Sequence, residues 1–317
     1  MNILLTGSAG FIGSHVLDLL VAHGHRVTTL DALDERVHGP TYAGDFYPKR
    51  VRRAGEVGYV DILGVDAVIH LAAQVGVADS MADPMRYLDG NTRDTMALLQ
   101  TIGSVHSHDG GPTKLIVASS MSVYGDPQLP VGEGVTEDHV INPASVYGLS
   151  KYDQERLFLM FGDLWGLSTV ALRFFNVYGP RQALSNPYTG VLANFANQLL
   201  HGEPPTVYED GQQTRDFVYV EDVAAAVVKA LDMPSDVYNV CTGVPTTIQG
   251  IAETLAAALG VPIAPDITGD VRPGDIRHCI GDPTRARDEG LVCPTSFTDG
   301  MERYAQWLMH QPSPSAS

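Results

Sequence analysis

Residues 1–13 read Met-Asn-Ile-Leu-Leu-Thr-Gly-Ser-Ala-Gly-Phe-Ile-Gly, an apolar run that breaks into closely spaced glycines. Asn2–Thr6 has the length and apolarity of a buried strand. Ile12, Val16, Leu19 and Leu20 then recur at helical spacing until Gly24 gives a stop signal. Between the two lie Gly7, Gly10 and Gly13, with Phe11 and Ile12 inside the last interval. Glycines let a backbone approach a pyrophosphate, and the N-terminus of the following helix offers N–H groups and positive potential. Eighteen residues after Gly13 an acid, Asp31, ends the next apolar run. A carboxylate there accepts from the adenosine ribose hydroxyls and repels a 2′-phosphate, which favours NAD over NADP.

Outward from this unit, Arg26–Leu30, Ala67–Leu71, Leu115–Ser119 and Thr169–Arg173 are further short apolar runs with helical patterns between them. The alternation predicts an α/β fold, a Rossmann-type doubly wound parallel sheet covered on both faces. After Asn176 the pattern loosens: Pro180, Pro187, Pro204 and Pro205 punctuate loops around a helix over 190–201. A strand at Arg215–Val220 and helices at Val223–Leu231 and Ile248–Leu259 follow. The expected organisation is a dinucleotide-binding domain over 1–175, to which the chain returns near 214–240. A smaller C-terminal α/β substrate-binding domain covers 176–310, and 311–317 (QPSPSAS) forms a disordered tail.

Composition narrows the function. Twenty Lys and Arg against 37 Asp and Glu leave a net charge of −17, a field that opposes nucleic-acid binding. The basic cluster Lys49–Arg53 (KRVRR) lacks interleaved aromatics and reads as a solvated loop or helix edge. Apolar runs reach only about five residues, far short of the roughly 18 of a membrane span, and no signal-peptide pattern opens the chain. Three cysteines without CxxC spacing argue against disulfides and structural zinc, so a cytosolic protein is expected. His106-Ser107-His108-Asp109 resembles a metal-ligand spacing, but the HSHDGG context predicts a loop.

The chemistry-bearing pattern is Tyr147-Gly148-Leu149-Ser150-Lys151. Four residues apart on a helix, phenol and ammonium share one face. An ammonium near a phenol favours the phenolate, drawing a group of free pKa about 10 toward the working range. Such a tyrosine can take a hydroxyl proton while a hydride leaves the same carbon. Ser119-Ser120 ends a strand 27 residues before Tyr147, and a serine hydroxyl there can share that proton.

With these motifs in order, namely TGSAGFIG, HLAA (Leu71, Ala72 and Ala73 after His70), SSMSVYG, YGLSK, RFFNVYGPR, RDFVYVEDV and RPGD, the chain over residues 1–305 resembles the extended short-chain dehydrogenase/reductases that act on nucleotide sugars. YGPRQALSNPYTGV and DALDERVHG are most similar to dTDP-L-rhamnose 4-epimerase-like and UDP-glucose 4-epimerase-like members. The resemblance implies Ser120, Tyr147 and Lys151 as catalytic residues, NAD as cofactor, and Asn91 and residues 71–73 beside it. It also implies that Asn176, Arg215 and Arg272 hold the substrate diphosphate, with Asp275 on the nucleotide ribose and Tyr208, Ser80 and Ser122 lining the substrate site. Arg gives phosphate a planar fork, and Asp accepts from vicinal diols. Arg215 paired with Asp216 or Glu221, and Tyr208 as a core aromatic, would read the same. The segment from Glu56 to Asp66 is shorter than in the family, so the acid beside the adenine is Glu56, next to Val57, or Asp61, with Glu56 favoured. Val75 stands where some relatives carry a Lys. A homodimer through a four-helix interface is expected by the same analogy.

Within that family, dehydratases carry Asp-Glu after the catalytic serine or threonine, and decarboxylases carry a Glu at the second place. Met121-Ser122 offers neither. What remains is reversible oxidation at one ring carbon: C4 inversion of a UDP- or dTDP-sugar through a 4-keto sugar. A 4-ketoreductase with exchangeable NAD(P)H would use the same triad, and an inactive NAD-sensing regulator would keep only the glycine loop.

Overall fold

The opening strand buries Ile3, Leu4, Leu5 and Thr6 in succession, so both of its faces are covered. The computed structural model describes residues 1–38, 50–130, 132–184, 190–270 and 276–311. In chain order come β1 (Asn2–Thr6), α1 (Phe11–Ala22), β2 (Arg26–Asp31), α2 (Glu35–His38), β3 (Arg50–Val51), α3 (Tyr59–Ile62) and β4 (Ala67–His70). The short α4 (Val77–Ala82) and α5 (Pro84–Tyr87) precede α6 (Asp94–Asp109), β5 (Lys114–Ser120), α7 (Val146–Trp165) and β6 (Ser168–Phe174). The remainder holds β7 (Asn176–Tyr178), α8 (Val191–Leu200), β8 (Thr206–Val207), β9 (Thr214–Tyr219), α9 (Val220–Lys229) and β10 (Asp236–Val240). Last come β11 (Pro245–Thr247), α10 (Ile248–Leu259), β12 (Asp266–Ile267), β13 (His278–Cys279), α11 (Thr284–Asp288) and α12 (Phe297–Met309).

Seven parallel strands form the main sheet in the order β10-β6-β5-β4-β1-β2-β3. Because side chains alternate along a strand, Ile3, Leu5, Ile69, Ile116 and Val170 face one way, onto Val16 and Leu20 of α1 and Val223 and Val227 of α9. Leu4, Val68, Leu115 and Ala171 face the other way, onto Leu98 and Ile102 of α6 and Phe158 of α7. This is the doubly wound α/β sheet that the alternating runs predict. From β1 the chain steps out to β2 and β3, then returns to β4 on the opposite side of β1. That reversal opens a crevice at the carboxyl ends of β1 and β4, where open α/β sheets take their ligands.

A second sheet, β11-β9-β13 with β7 on β9, carries its own core: Phe217 and Tyr219 of β9 against Phe195 of α8, Leu255 of α10 and Tyr304 of α12. β9 therefore belongs to the small sheet, and the return to the large sheet comes with α9 and β10 rather than from residue 214. Two local readings change. Arg50–Val51 is the edge strand of the main sheet rather than a loop, Lys49 lying outside the described residues. His106–Asp109 is the last turn of α6, which stops at Gly110 with φ +65°, so the glycine signal ends a helix there instead of marking a loop. Among the described residues no group of His, Cys, Asp and Glu could hold a metal, and no helix is long and apolar enough to cross a membrane. Of the tail, only Gln311 is described.

α7 is bolted to the sheet by a buried ion pair. Arg173 on β6 donates to Glu155 at 2.6 and 3.0 Å, and the Ser119 hydroxyl on β5 donates to the same carboxylate at 2.6 Å. With Arg173 and Glu155 at 4% and 1% exposure, removing one partner strands the other charge in the core. Glu155→Ala should cost about 3–5 kcal/mol in urea unfolding. A loss below about 1 kcal/mol would show that the pair does not fasten α7.

Candidate active site

The crevice holds a cavity of about 500 Å³, lined at one end by the glycine turn and at the other by β5, β7 and α7. At the glycine end Gly7 has φ +72°, and a Cβ there would sit 2.7 Å from the Ala72 amide nitrogen. A Cβ on Gly13 would lie 1.9 Å from the Gly7 carbonyl oxygen. Only glycines let the β1–α1 turn lie against the end of β4. α1 begins on Gly10 with no side chain closing its first turn, so its N-terminal backbone is what faces the cavity. A pyrophosphate fits such a cradle. Asp31 reaches the same end, its carboxylate accepting from the Ala9 and Leu33 amides at 2.9 Å each. Gly7, Gly10, Phe11, Ile12, Gly13, Asp31, Leu71, Ala72 and Ala73 all line the cavity.

At the far end stand Ser120, Ser122, Tyr147, Lys151 and Asn176. Ser120 closes β5, and its Oγ accepts from the Ser122 amide at 3.2 Å, turning the chain away from the sheet. Ser145 caps α7 by accepting from the Gly148 amide at 3.0 Å, which starts the helix one residue before Tyr147. Burial raises the Tyr147 phenol above its ordinary range, and a hydrogen bond with Ser120 works against that rise. Burial also lowers the Lys151 ammonium to about 7, against Glu155, which holds it up. Burial thus favours the neutral form of both groups, and the Ser120 hydrogen bond and the Glu155 charge are what oppose it. The Asn176 Oδ1 is buried with no hydrogen-bond partner among the described residues. That amide can accept from a sugar hydroxyl or, turned by half a rotation, donate to a phosphate oxygen.

Other expected residues stand back from the cavity. Ser80 is fully buried behind it, accepting from the Tyr147 amide at 3.0 Å and donating to the Val77 carbonyl, so it holds α7 instead of lining the substrate site. Asn91 sits one layer out, where its side chain takes the Gln74 amide at 2.6 Å and donates to Ser150. Arg215 is turned to the Thr214 and Arg277 carbonyls and does not line the cavity. Its sequence neighbour Asp216 accepts instead from Thr242, Gly243 and Gly281. Tyr208, partly buried, is also off the cavity wall. Arg272 and Asp275 lie outside the described residues.

The acids expected beside the adenine do not line the cavity. Glu56 is spent on the Arg53 amide at 3.0 Å, Val57 is core, and Asp61 is buried against Arg50 and Arg52. The residues that line that end are Arg52, Arg53, Ala54 and, from α6, Asp94, which Arg53 grips at 2.8 Å. Asp34, Gln74 and Arg181 also line the cavity; Asp34 and Arg181 stand inside the DALDERVHG and RFFNVYGPR stretches, and Gln74 follows HLAA, but no site role was expected of them. Arg181 has φ +70°, a strained setting for a non-glycine residue.

Comparison with known proteins agrees with this geometry. The "NAD dependent epimerase/dehydratase family" profile matches residues 3–241. A UDP-glucose 4-epimerase from Mycolicibacterium smegmatis is 35% identical, with 98% of this chain and 99% of that protein covered. A dTDP-L-rhamnose 4-epimerase from Burkholderia thailandensis is 30% identical, over 98% and 95%. A solved Thermus thermophilus UDP-glucose 4-epimerase, in complex with NAD, superposes with a TM-score of 0.84 at 31% identity, covering 98% of this chain and 99% of that one.

The contact between Gly13 and Gly7 is the tightest in the cradle. Gly13→Ala should lower the melting temperature by a few degrees, as overpacking of about 1–3 kcal/mol demands, and weaken NAD⁺ binding in calorimetry. Unchanged melting and binding would contradict the close approach.

Proposed function

The chain belongs to the NAD dependent epimerase/dehydratase family, and on that footing we propose that it inverts C4 of a UDP- or dTDP-linked sugar as a cytosolic homodimer. The observation that carries this reading is the distribution of acid–base groups along the cavity. Ser120, Tyr147 and Lys151 meet at one end, beside Met121 and Ser122. The carboxylates among the described lining residues, Asp31, Asp34 and Asp94, stand at the other, on the β2–β3 side. Elimination of water or loss of carbon dioxide needs a carboxyl group at the sugar, and the sugar end offers a phenol. Oxidation and return at one carbon need only that phenol.

NAD, held by the glycine turn, Asp31 and residues 71–73, supplies when bound a reversible two-electron acceptor for the C4–H bond. Tyr147 takes the proton of the 4-hydroxyl, and Ser120 shares it through their hydrogen bond. The Lys151 ammonium favours the phenolate form. Asn176, with Arg181 from the turn after β7, holds the diphosphate while the 4-keto ring turns over. Tyr147 then returns the proton to the oxygen on the opposite face. The names of the relatives, UDP-glucose and dTDP-L-rhamnose 4-epimerases, support both nucleotide classes as substrates.

For assembly, the observation is on α7. Met160 and Leu164 are 53% and 70% exposed on its outer face, beside the partly buried Phe161 and Trp165. A second copy of the same helix pair would cover them.

Tyr147→Phe should abolish C4 inversion, followed by NMR on a panel of UDP- and dTDP-sugars, with melting unchanged within about two degrees. Near-normal turnover in that variant would remove Tyr147 from the mechanism. In sedimentation, the wild-type protein should run as a dimer and Met160→Glu/Leu164→Glu as a monomer; a monomeric wild type would contradict the interface.

A further inference from the structure

Beneath the Tyr147–Lys151 wall lies a chain of buried polar groups that acid–base chemistry alone does not require. Lys151 Nζ donates to Gln154 Oε1 at 2.6 Å. The other end of that amide donates to His70 Nε2 at 3.0 Å and to the Thr95 hydroxyl at 2.9 Å. His70 Nδ1 lies 2.8 Å from the Thr6 hydroxyl, and its ring stacks on Phe158 with centroids 5.3 Å apart. Gln154, Thr6 and Thr95 are completely buried, and His70 nearly so.

The donor at Lys151 sets the direction of this chain, which also includes a 3.1 Å contact between His70 Nε2 and the Thr95 hydroxyl. An ammonium can only donate, so the amide oxygen must face Lys151 and the amide nitrogen must face His70. When His70 Nε2 accepts from that nitrogen, the ring carries its proton on Nδ1, toward Thr6. Burial drives the His70 imidazolium down to about 3, so the ring stays neutral and the register holds at any working pH. Thr6 and His70 end the two central strands, so the chain ties Lys151 to the rigid floor of the sheet.

We propose that Gln154 is a positioning residue that fixes the Lys151 ammonium and sets the pH at which it is lost, a claim that rests on the role given to Lys151 above. The titratable groups facing Lys151 are Tyr147 and Glu155 on α7, His70 on β4, Arg173 on β6 behind Glu155, and Tyr87 of α5 against the Tyr147 ring. Gln154 is a neutral acceptor bonded to its nitrogen. Removing an acceptor from a buried ammonium makes it a stronger acid, and replacing it with a carboxylate makes it a weaker one.

The experiment is the pH dependence of kcat for C4 inversion in wild type, Gln154→Met and Gln154→Glu. The high-pH fall in rate, where Lys151 gives up its proton, should move down by about one unit in Gln154→Met and up by about one unit in Gln154→Glu, with KM little changed. A residue that merely filled space would shift melting and leave the limb in place. Limbs coinciding with wild type in both variants would overturn the proposal. Where Gln154→Met fails to fold, Gln154→Glu decides by itself: an upward limb supports the claim and an unmoved limb refutes it. Tyr147→Phe separates the two levels, because turnover in that variant would sink the epimerase mechanism whatever Gln154 does.

Discussion

The backbone of the β1–α1 turn runs so close to the end of β4 that Gly7 has no room for a Cβ, and it folds back on itself so tightly that Gly13 has none either. The site follows from that contact. It sets the N-terminus of α1 over the crevice where the strand order reverses, and so decides where a dinucleotide diphosphate lies. It also brings Thr6 and His70 together at the ends of adjacent strands, the floor to which Lys151 is tied through Gln154. A cofactor cradle and a catalytic wall are thereby built on the same two strands.

Electrostatics complete the division of labour along the cavity. The β2–β3 end is crowded with charge in pairs, Arg53 with Asp94 and Arg52 with Asp61, while the other end carries the serines, Asn176, Arg181, Gln182 and the Tyr–Lys wall. A phenol raised by burial and an ammonium lowered by it differ more in acidity than the free side chains, so the Ser120 hydrogen bond on Tyr147 and the Glu155 charge near Lys151 are what work against that separation.

Much of this was legible in the chain itself. The parallel sheet was readable because strands covered on both faces cannot hide their apolarity, and the glycine turn because steric necessity leaves a spaced motif. Tyr147, Lys151 and Ser120 were readable because helical spacing and a strand end place them. What escaped has a common cause. Asp94 reaches the cofactor end from α6, and Gln154 reaches His70 across the fold from α7, so neither contact has a local signature. β3 is two residues long, too short for any periodicity, so the sequence points to Glu56 or Asp61 at this end, whereas the carboxylate that lines the cavity there is Asp94. Ser80 is a polar residue near the site in sequence and space, yet its hydroxyl serves the Tyr147 backbone, a distinction that only geometry makes.

The most direct test of the account follows the hydrogen on C4. A UDP- or dTDP-sugar carrying deuterium at C4 would be incubated with the purified protein in ordinary water, without added cofactor, and the product examined by NMR. Oxidation and return at one carbon within a closed site predict inverted C4 with the deuterium still attached. Inversion with the label washed out to solvent, or no inversion while added NAD(P)H is consumed on a 4-keto sugar, would contradict it.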